Sequence, residues 1–204
     1  MKQQQQKSDS LHKKKMKKLK VNIDASISAA NIERGIGILL TGNGKGKSTS
    51  AFGMVIRSLG YNHKVGIVQF IKGQQLSGEE VYVRDKCPSV TFYQMNTGFT
   101  WETQDRSIDI AAAKESWAVA EKMLQDDGYN LVVLDELTYM LSFKYLDEAT
   151  ILDALNNRPV NQSVVVTGRG GGAALKRWAD TVSEVKEIKH AFKQGIMARK
   201  GVDV

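Results

Sequence analysis

The run Thr41-Gly42-Asn43-Gly44-Lys45-Gly46-Lys47-Ser48-Thr49 gathers the groups that can hold a chain of phosphates. Glycines let the backbone wrap closely round phosphate oxygens. Successive amides and the N-terminus of a following helix supply positive potential. Lys47 adds a mobile ammonium, and the Ser48 hydroxyl can ligate Mg²⁺. The spacing departs from the usual G-x-x-x-x-G-K-[ST]. Counting back from Gly46, the first glycine position falls on Thr41, and the glycine arrives one place later, at Gly42. The expectation is a phosphate loop, Thr41–Thr49, of altered shape.

A magnesium site on such a loop needs a carboxylate. Leu131-Val132-Val133-Leu134-Asp135-Glu136 supplies two at the end of an apolar run. In an open parallel sheet, ligands bind outside the carboxyl ends of the strands. Ser48, Asp135 and Glu136 are therefore the candidate metal ligands, and the sequence does not rank the two acids. Gly168-Arg169-Gly170 follows the next apolar run, so Arg169 can present a charged fork to phosphate oxygens at the same edge. His12, His63 and His190 sit in unrelated contexts, and no His–acid or Cys–His pair suggests a general base.

These residues need a scaffold that brings strand ends together. Short apolar runs at Ile36–Thr41, Lys64–Ile71, Val90–Gln94, Leu131–Asp135, Ser163–Thr167 and Thr181–Val185 read as strands. Helical stretches alternate with them at Lys47–Leu59, Gly78–Lys86, Asp105–Gln125, Asp147–Leu155 and Ala173–Ala179. This alternation predicts a mainly parallel sheet covered on both faces. The fold expected is a three-layer α/β domain of the P-loop NTPase-like, RecA-like class over 35–204. Residues 1–20 read as a basic, low-complexity, disordered tail. Residues 21–34 read as a short capping helix, with Val21, Ile23, Ile27, Ala30 and Ile32 available to one side.

The net charge of +7 is local. Of 29 basic and 22 acidic residues, eight lysines and one aspartate fall in 1–20, which leaves 21 of each in 21–204. A neutral body argues against a nucleic-acid partner. No apolar run approaches the roughly 20 residues of a membrane span, and Cys87 is the sole cysteine. The expected compartment is the cytoplasm.

Several strings together resemble the ATP:corrinoid adenosyltransferases of the P-loop type. They are GNGKGKS (42–48), GIVQFIKG (66–73), TGFTWETQ (97–104), LVVLDELTY (131–139), VVVTGRG (164–170) and DTVSEVKEIKHAFKQGIMARKGVD (180–203). The resemblance runs from about Ile32 to the end and includes the shortened loop. It implies ATP as co-substrate, bound in the reverse sense so that C5′ faces a corrinoid substrate, with Mg²⁺ (or Mn²⁺) on the triphosphate. Lys47 and Glu136 would take part in catalysis. Phe99 and Trp101 would present apolar bulk where an axial cobalt ligand would sit, easing reduction to Co(I). The string D-x-H-x-x-G of proteins that keep a corrinoid as cofactor is missing, so the corrinoid reads as substrate. The resemblance further implies a homodimer, with an N-terminal helix over the partner's site. The lysine-rich tail could steer a flavodoxin or other flavoprotein reductant. The rival readings are a kinase or ATPase on the same fold and a non-catalytic nucleotide-dependent adaptor.

Overall fold

The central strands are short, unbroken apolar runs, and such runs are stable only when both faces of the sheet are covered. The computed structural model describes residues 2–71, 76–95 and 106–203, and the chain divides into two units at Glu33/Arg34. The larger unit has six strands, β1 (Gly37–Thr41), β2 (Val65–Gln69), β3 (Val90–Gln94), β4 (Leu131–Asp135), β5 (Ser163–Thr167) and β6 (Thr181–Glu184). They form one sheet in the order β3-β2-β4-β5-β1-β6, and every pairing is parallel. One strand, β5, separates the phosphate-loop strand β1 from the acidic strand β4. That is the RecA-like arrangement, and it leaves a crevice at the strand ends.

Alternation along the strands sends side chains to two cores. On one face Leu40, Val65, Ile67, Leu131, Val133 and Val165 pack with α2 (Lys47–Leu59) and α3 (Gly78–Lys86), through Ala51, Phe52, Val55 and Val83. On the other face Leu39, Val68, Val132, Leu134, Val164 and Val166 meet α4 (Arg106–Gln125), α5 (Leu137–Ser142), α6 (Glu148–Asn156) and α7 (Gly172–Trp178). All residues of β2 and β4 are buried, whereas the edge strand β6 is exposed throughout. Ser77 caps α3 by accepting from the Glu80 amide, and Asp147 caps α6 by accepting from the Thr150 amide. These side chains satisfy amides that have no partner within a helix.

The sheet and its helices match the sequence expectation, with strand ends trimmed by one or two residues. Two features differ. The short helix α5 directly follows the acidic pair, in a stretch left unassigned by periodicity. In the smaller unit one helix, α1, runs from Lys2 to Ala29, where the sequence reading has a disordered tail followed by a helix over 21–34. The stretch 1–34 holds no proline or glycine and is rich in lysine and glutamine, both good helix formers. Lys20 and Asp24 form an i,i+4 ion pair on it at 3.4 Å.

Candidate active site

The phosphate loop leaves β1 at Thr41 and enters α2 at Lys47. Its glycines are needed for different reasons. Gly42 has φ of 99°, and a Cβ there would stand 2.4 Å from the Val185 carbonyl oxygen. Gly44 is also tight, since a Cβ would lie 2.8 Å from the Lys186 carbonyl carbon. Gly46, the N-cap of α2, faces open space but has φ of 117°. The loop thus lies against the backbone that follows β6. Two hydrogen bonds fix it there, from the Gly44 amide to the Val185 carbonyl at 2.7 Å and from the Val185 amide to the Thr41 carbonyl at 2.8 Å.

Thr41 also ties the loop to the Arg169 turn. Its hydroxyl donates to the Gly170 carbonyl at 2.6 Å and accepts from the Gly170 amide at 3.0 Å. The turn has a crowded backbone, because a Cβ at Gly168 would lie 2.1 Å from the Thr138 hydroxyl oxygen. That hydroxyl donates to the Arg169 carbonyl at 3.1 Å.

The acidic strand brings its two carboxylates to the same edge in unlike settings. Asp135 is buried and both its oxygens are engaged. Thr167 donates to Oδ1 at 2.7 Å, and Gln69 donates to Oδ2 at 2.8 Å. Gln69 lies beside Asp135 in the β2–β4 register, and Thr167 ends β5. Glu136 adopts φ of 59°, left-handed for a non-glycine residue, and its amide donates to the Thr167 hydroxyl at 2.9 Å. Its Oε2 is buried and unpartnered. Burial and the neighbouring Asp135 raise the Glu136 carboxyl to about 7, against the opposing pull of Lys47 and Arg169.

Lys47 is buried and curls back so that Nζ donates to the Gly44 carbonyl at 2.8 Å. Burial depresses its ammonium, Glu136 opposes that effect, and Arg169 adds to it. Asn43, Gly44, Lys45, Gly46, Lys47, Ser48 and Thr49 line a cleft of about 950 Å³ together with Asp135, Glu136 and Arg169. Thr41 and Gly42 lie behind it and hold the loop in place. Phe99 and Trp101 fall outside the described residues.

The same cleft has walls that the sequence reading did not assign. Gln69 closes β2, and its Oε1 is buried without a partner. The stretch 190–203 supplies a second wall. It begins with a 3-10 turn, Ala191–Gln194, in which His190 Nδ1 accepts from the Phe192 amide at 3.2 Å. A polar residue closing a buried strand is the signal that could have marked Gln69. The last stretch is reached through an ion pair between Lys45 and Asp203, 158 positions apart, for which sequence periodicity offers no cue.

Hard oxygen donors at Ser48 and Glu136, with an orphaned buried carboxylate oxygen on the latter, suit a hard divalent cation. Among the described residues no cluster of three or more His, Cys, Asp or Glu is placed to hold a metal by itself. A cation here would complete its shell with phosphate oxygens and water.

A phosphate cradle at the start of a helix, facing an acidic strand end across one intervening strand, defines a nucleotide-binding α/β protein of the P-loop class. The family model for ATP:corrinoid adenosyltransferase BtuR/CobO/CobP matches residues 33–204. A corrinoid adenosyltransferase of Pseudomonas aeruginosa is 49% identical over 195 residues, 96% of this chain and 96% of that protein. Proteins named corrinoid adenosyltransferase in Escherichia coli and corrinoid adenosyltransferase CobA in Salmonella typhimurium are each 46% identical, over 96% of this chain and 99% of theirs. Among solved structures, the flagellar accessory protein FlaH of Methanocaldococcus jannaschii covers 76% of this chain and 72% of its own, with a TM-score of 0.48 and 10% identity. The chain belongs to the ATP:corrinoid adenosyltransferase family.

Proposed function

We propose that this protein transfers the 5′-deoxyadenosyl group of ATP to the Co(I) centre of a corrinoid and releases triphosphate, in the making or salvage of adenosylcobalamin. The observation that carries the reading is the shortened phosphate loop, pressed onto the backbone that follows β6 and lining one cleft with Glu136 and Arg169. It occurs in a chain that matches the family along nearly its whole length.

In this reading Co(I) attacks C5′. The cobalt–carbon bond forms with the cobalt electron pair, and the C5′–oxygen bond breaks with its pair going to the triphosphate. No proton moves, so no general base is required. His63 Nδ1 is 3.2 Å from the Ser58 hydroxyl oxygen, and His190 caps a turn. The protein's contribution is positioning and stabilisation of the leaving group. Loop amides, Lys47 and Arg169 hold the triphosphate, and the fixed loop sets where C5′ lies.

Ser48 and Glu136 would hold Mg²⁺ (or Mn²⁺), and Asp135 would act behind them by fixing the strand end through Thr167 and Gln69. Such a cation neutralises charge building on the triphosphate. Phe99 and Trp101 are assigned to the corrinoid side, where they exclude an axial ligand. A homodimer and a flavoprotein reductant complete the proposal. No helix among the described residues is long and apolar enough to cross a membrane, and we place the enzyme in the cytoplasm.

The test is product analysis with ATP, a divalent cation and chemically reduced cob(I)alamin under anaerobic conditions. A light-sensitive adenosylated corrinoid with stoichiometric triphosphate is expected. ADP and phosphate without a cobalt–carbon bond would reject the reading.

A further inference from the structure

The second wall of the cleft is exposed along 191–203. Phe192, Met197 and Val202 line the cleft yet are 75%, 83% and 67% exposed, so burial contributes little to keeping them there. Asp203 is the point of attachment. Its Oδ1 lies 3.2 Å from Lys45 Nζ in the phosphate loop. Its Oδ2 accepts from the Arg199 amide at 3.0 Å, and its own amide donates to the Arg199 carbonyl at 2.8 Å. The Val202 amide donates to the same carbonyl at 3.1 Å, so 199–203 is a closed turn offering one free carboxylate oxygen to Lys45. The Lys193–Glu187 ion pair steadies the base of the segment. An ammonium has three donors. Asp203 takes one, and Lys45 itself lines the cleft with the loop amides and Lys47.

We propose that Asp203 is a positioning residue that clasps the segment 190–203 to the phosphate loop through Lys45, so that a polyphosphate anion bound on the loop orders this segment along the cleft. Lys45 bridges the two, giving one donor to Asp203 and the others to phosphate oxygens. The coupling runs through the phosphates and not the adenosine, so inorganic tripolyphosphate is enough to produce it. The inference rests on the phosphate-loop part of the proposed function.

The test uses the full chain, tripolyphosphate with Mg²⁺, and trypsin. Cleavage after Arg199 and Lys200 is followed by intact-mass analysis, and binding is measured separately by calorimetry. Under conditions where cleavage tracks the opened population, saturating tripolyphosphate should slow release of the C-terminal peptide about two- to fivefold, the range of an exposed ion pair. Asp203→Asn should be cut faster without ligand. It should still bind tripolyphosphate and yet show no protection, a combination that mere loss of local stability does not produce. Unchanged or faster cleavage of the bound wild type would overturn the clasp, as would protection retained in Asp203→Asn. No binding of tripolyphosphate would remove the phosphate-loop reading and the clasp with it. Protection without any adenosylated corrinoid product would leave the clasp standing and reject the transferase reading.

Discussion

The two walls of the cleft are held by opposite means. The phosphate loop is fixed by backbone fit, with glycines pressed on Val185 and Lys186, reciprocal bonds between Thr41 and Gly170, and a buried Lys47 folded onto its own loop. The facing stretch 190–203 is exposed and rests on hydrogen-bonded turns and ion pairs. A loop that must stabilise a leaving group gains from being organised before the substrate arrives. A wall held by exposed turns and ion pairs opens at low cost.

The largest effect that would break this contrast lies at Lys47. Lys47→Ala should lower turnover with chemically reduced corrinoid by about 10²–10³-fold, the loss typical of removing one charge-stabilising donor. Activity near wild type would remove Lys47 from triphosphate stabilisation. The next effect concerns the Co(I) side. Trp101→Ala should reduce transfer that starts from Co(II) far more than transfer to prepared Co(I). Equal losses in the two assays would argue against displacement of an axial ligand.

Fit and strain can be separated by a pair of glycine variants. Gly42→Ala meets both a forbidden φ and the Val185 carbonyl, so it should cost about 3 kcal/mol. Gly46→Ala meets only the φ and should cost about 1–2 kcal/mol. Thermal unfolding of the two variants gives the comparison, and equal costs would mean that packing on Val185 does not shape the loop.

The smallest effect is at the start of β6. The Asp180 carboxylate accepts from Arg34, and from the Gly37 amide at 2.8 Å, which holds its pKa down at about 2. A depressed carboxylate contributes stability that is present above its ordinary pKa near 4 and lost as pH falls through about 2. Acid unfolding of Asp180→Asn should therefore show a shallower decline over that window than the wild type. An unchanged profile would show that the pair does not anchor this edge.

The sequence made one wall legible and left the other dark, for physical reasons. Glycine spacing, a lysine and a hydroxyl at a strand-to-helix turn are local, and so is an acid pair ending an apolar strand. The elements themselves were legible because buried parallel strands are unbroken apolar runs, as 65–68 and 131–134 are. What joins Gln69 and Thr167 to Asp135, or Lys45 to Asp203, is strand order and chain return. Neither leaves a periodic trace. The short helix after Glu136 escaped because its left-handed N-cap breaks the pattern that marks a helix start. Along α1, charge density pointed to disorder while intrinsic propensity favoured helix, and the structure follows propensity.

In the proposed transfer the bond broken in ATP is C5′–oxygen. A single turnover with ATP carrying ¹⁸O at the bridging 5′ position, followed by mass spectrometry of the products, reads this directly. The account predicts that the label leaves in triphosphate while unlabelled deoxyadenosyl is bound to cobalt. Label retained in ADP, with unlabelled phosphate released, would contradict it and make the protein a phosphoryl-transfer enzyme on the same scaffold.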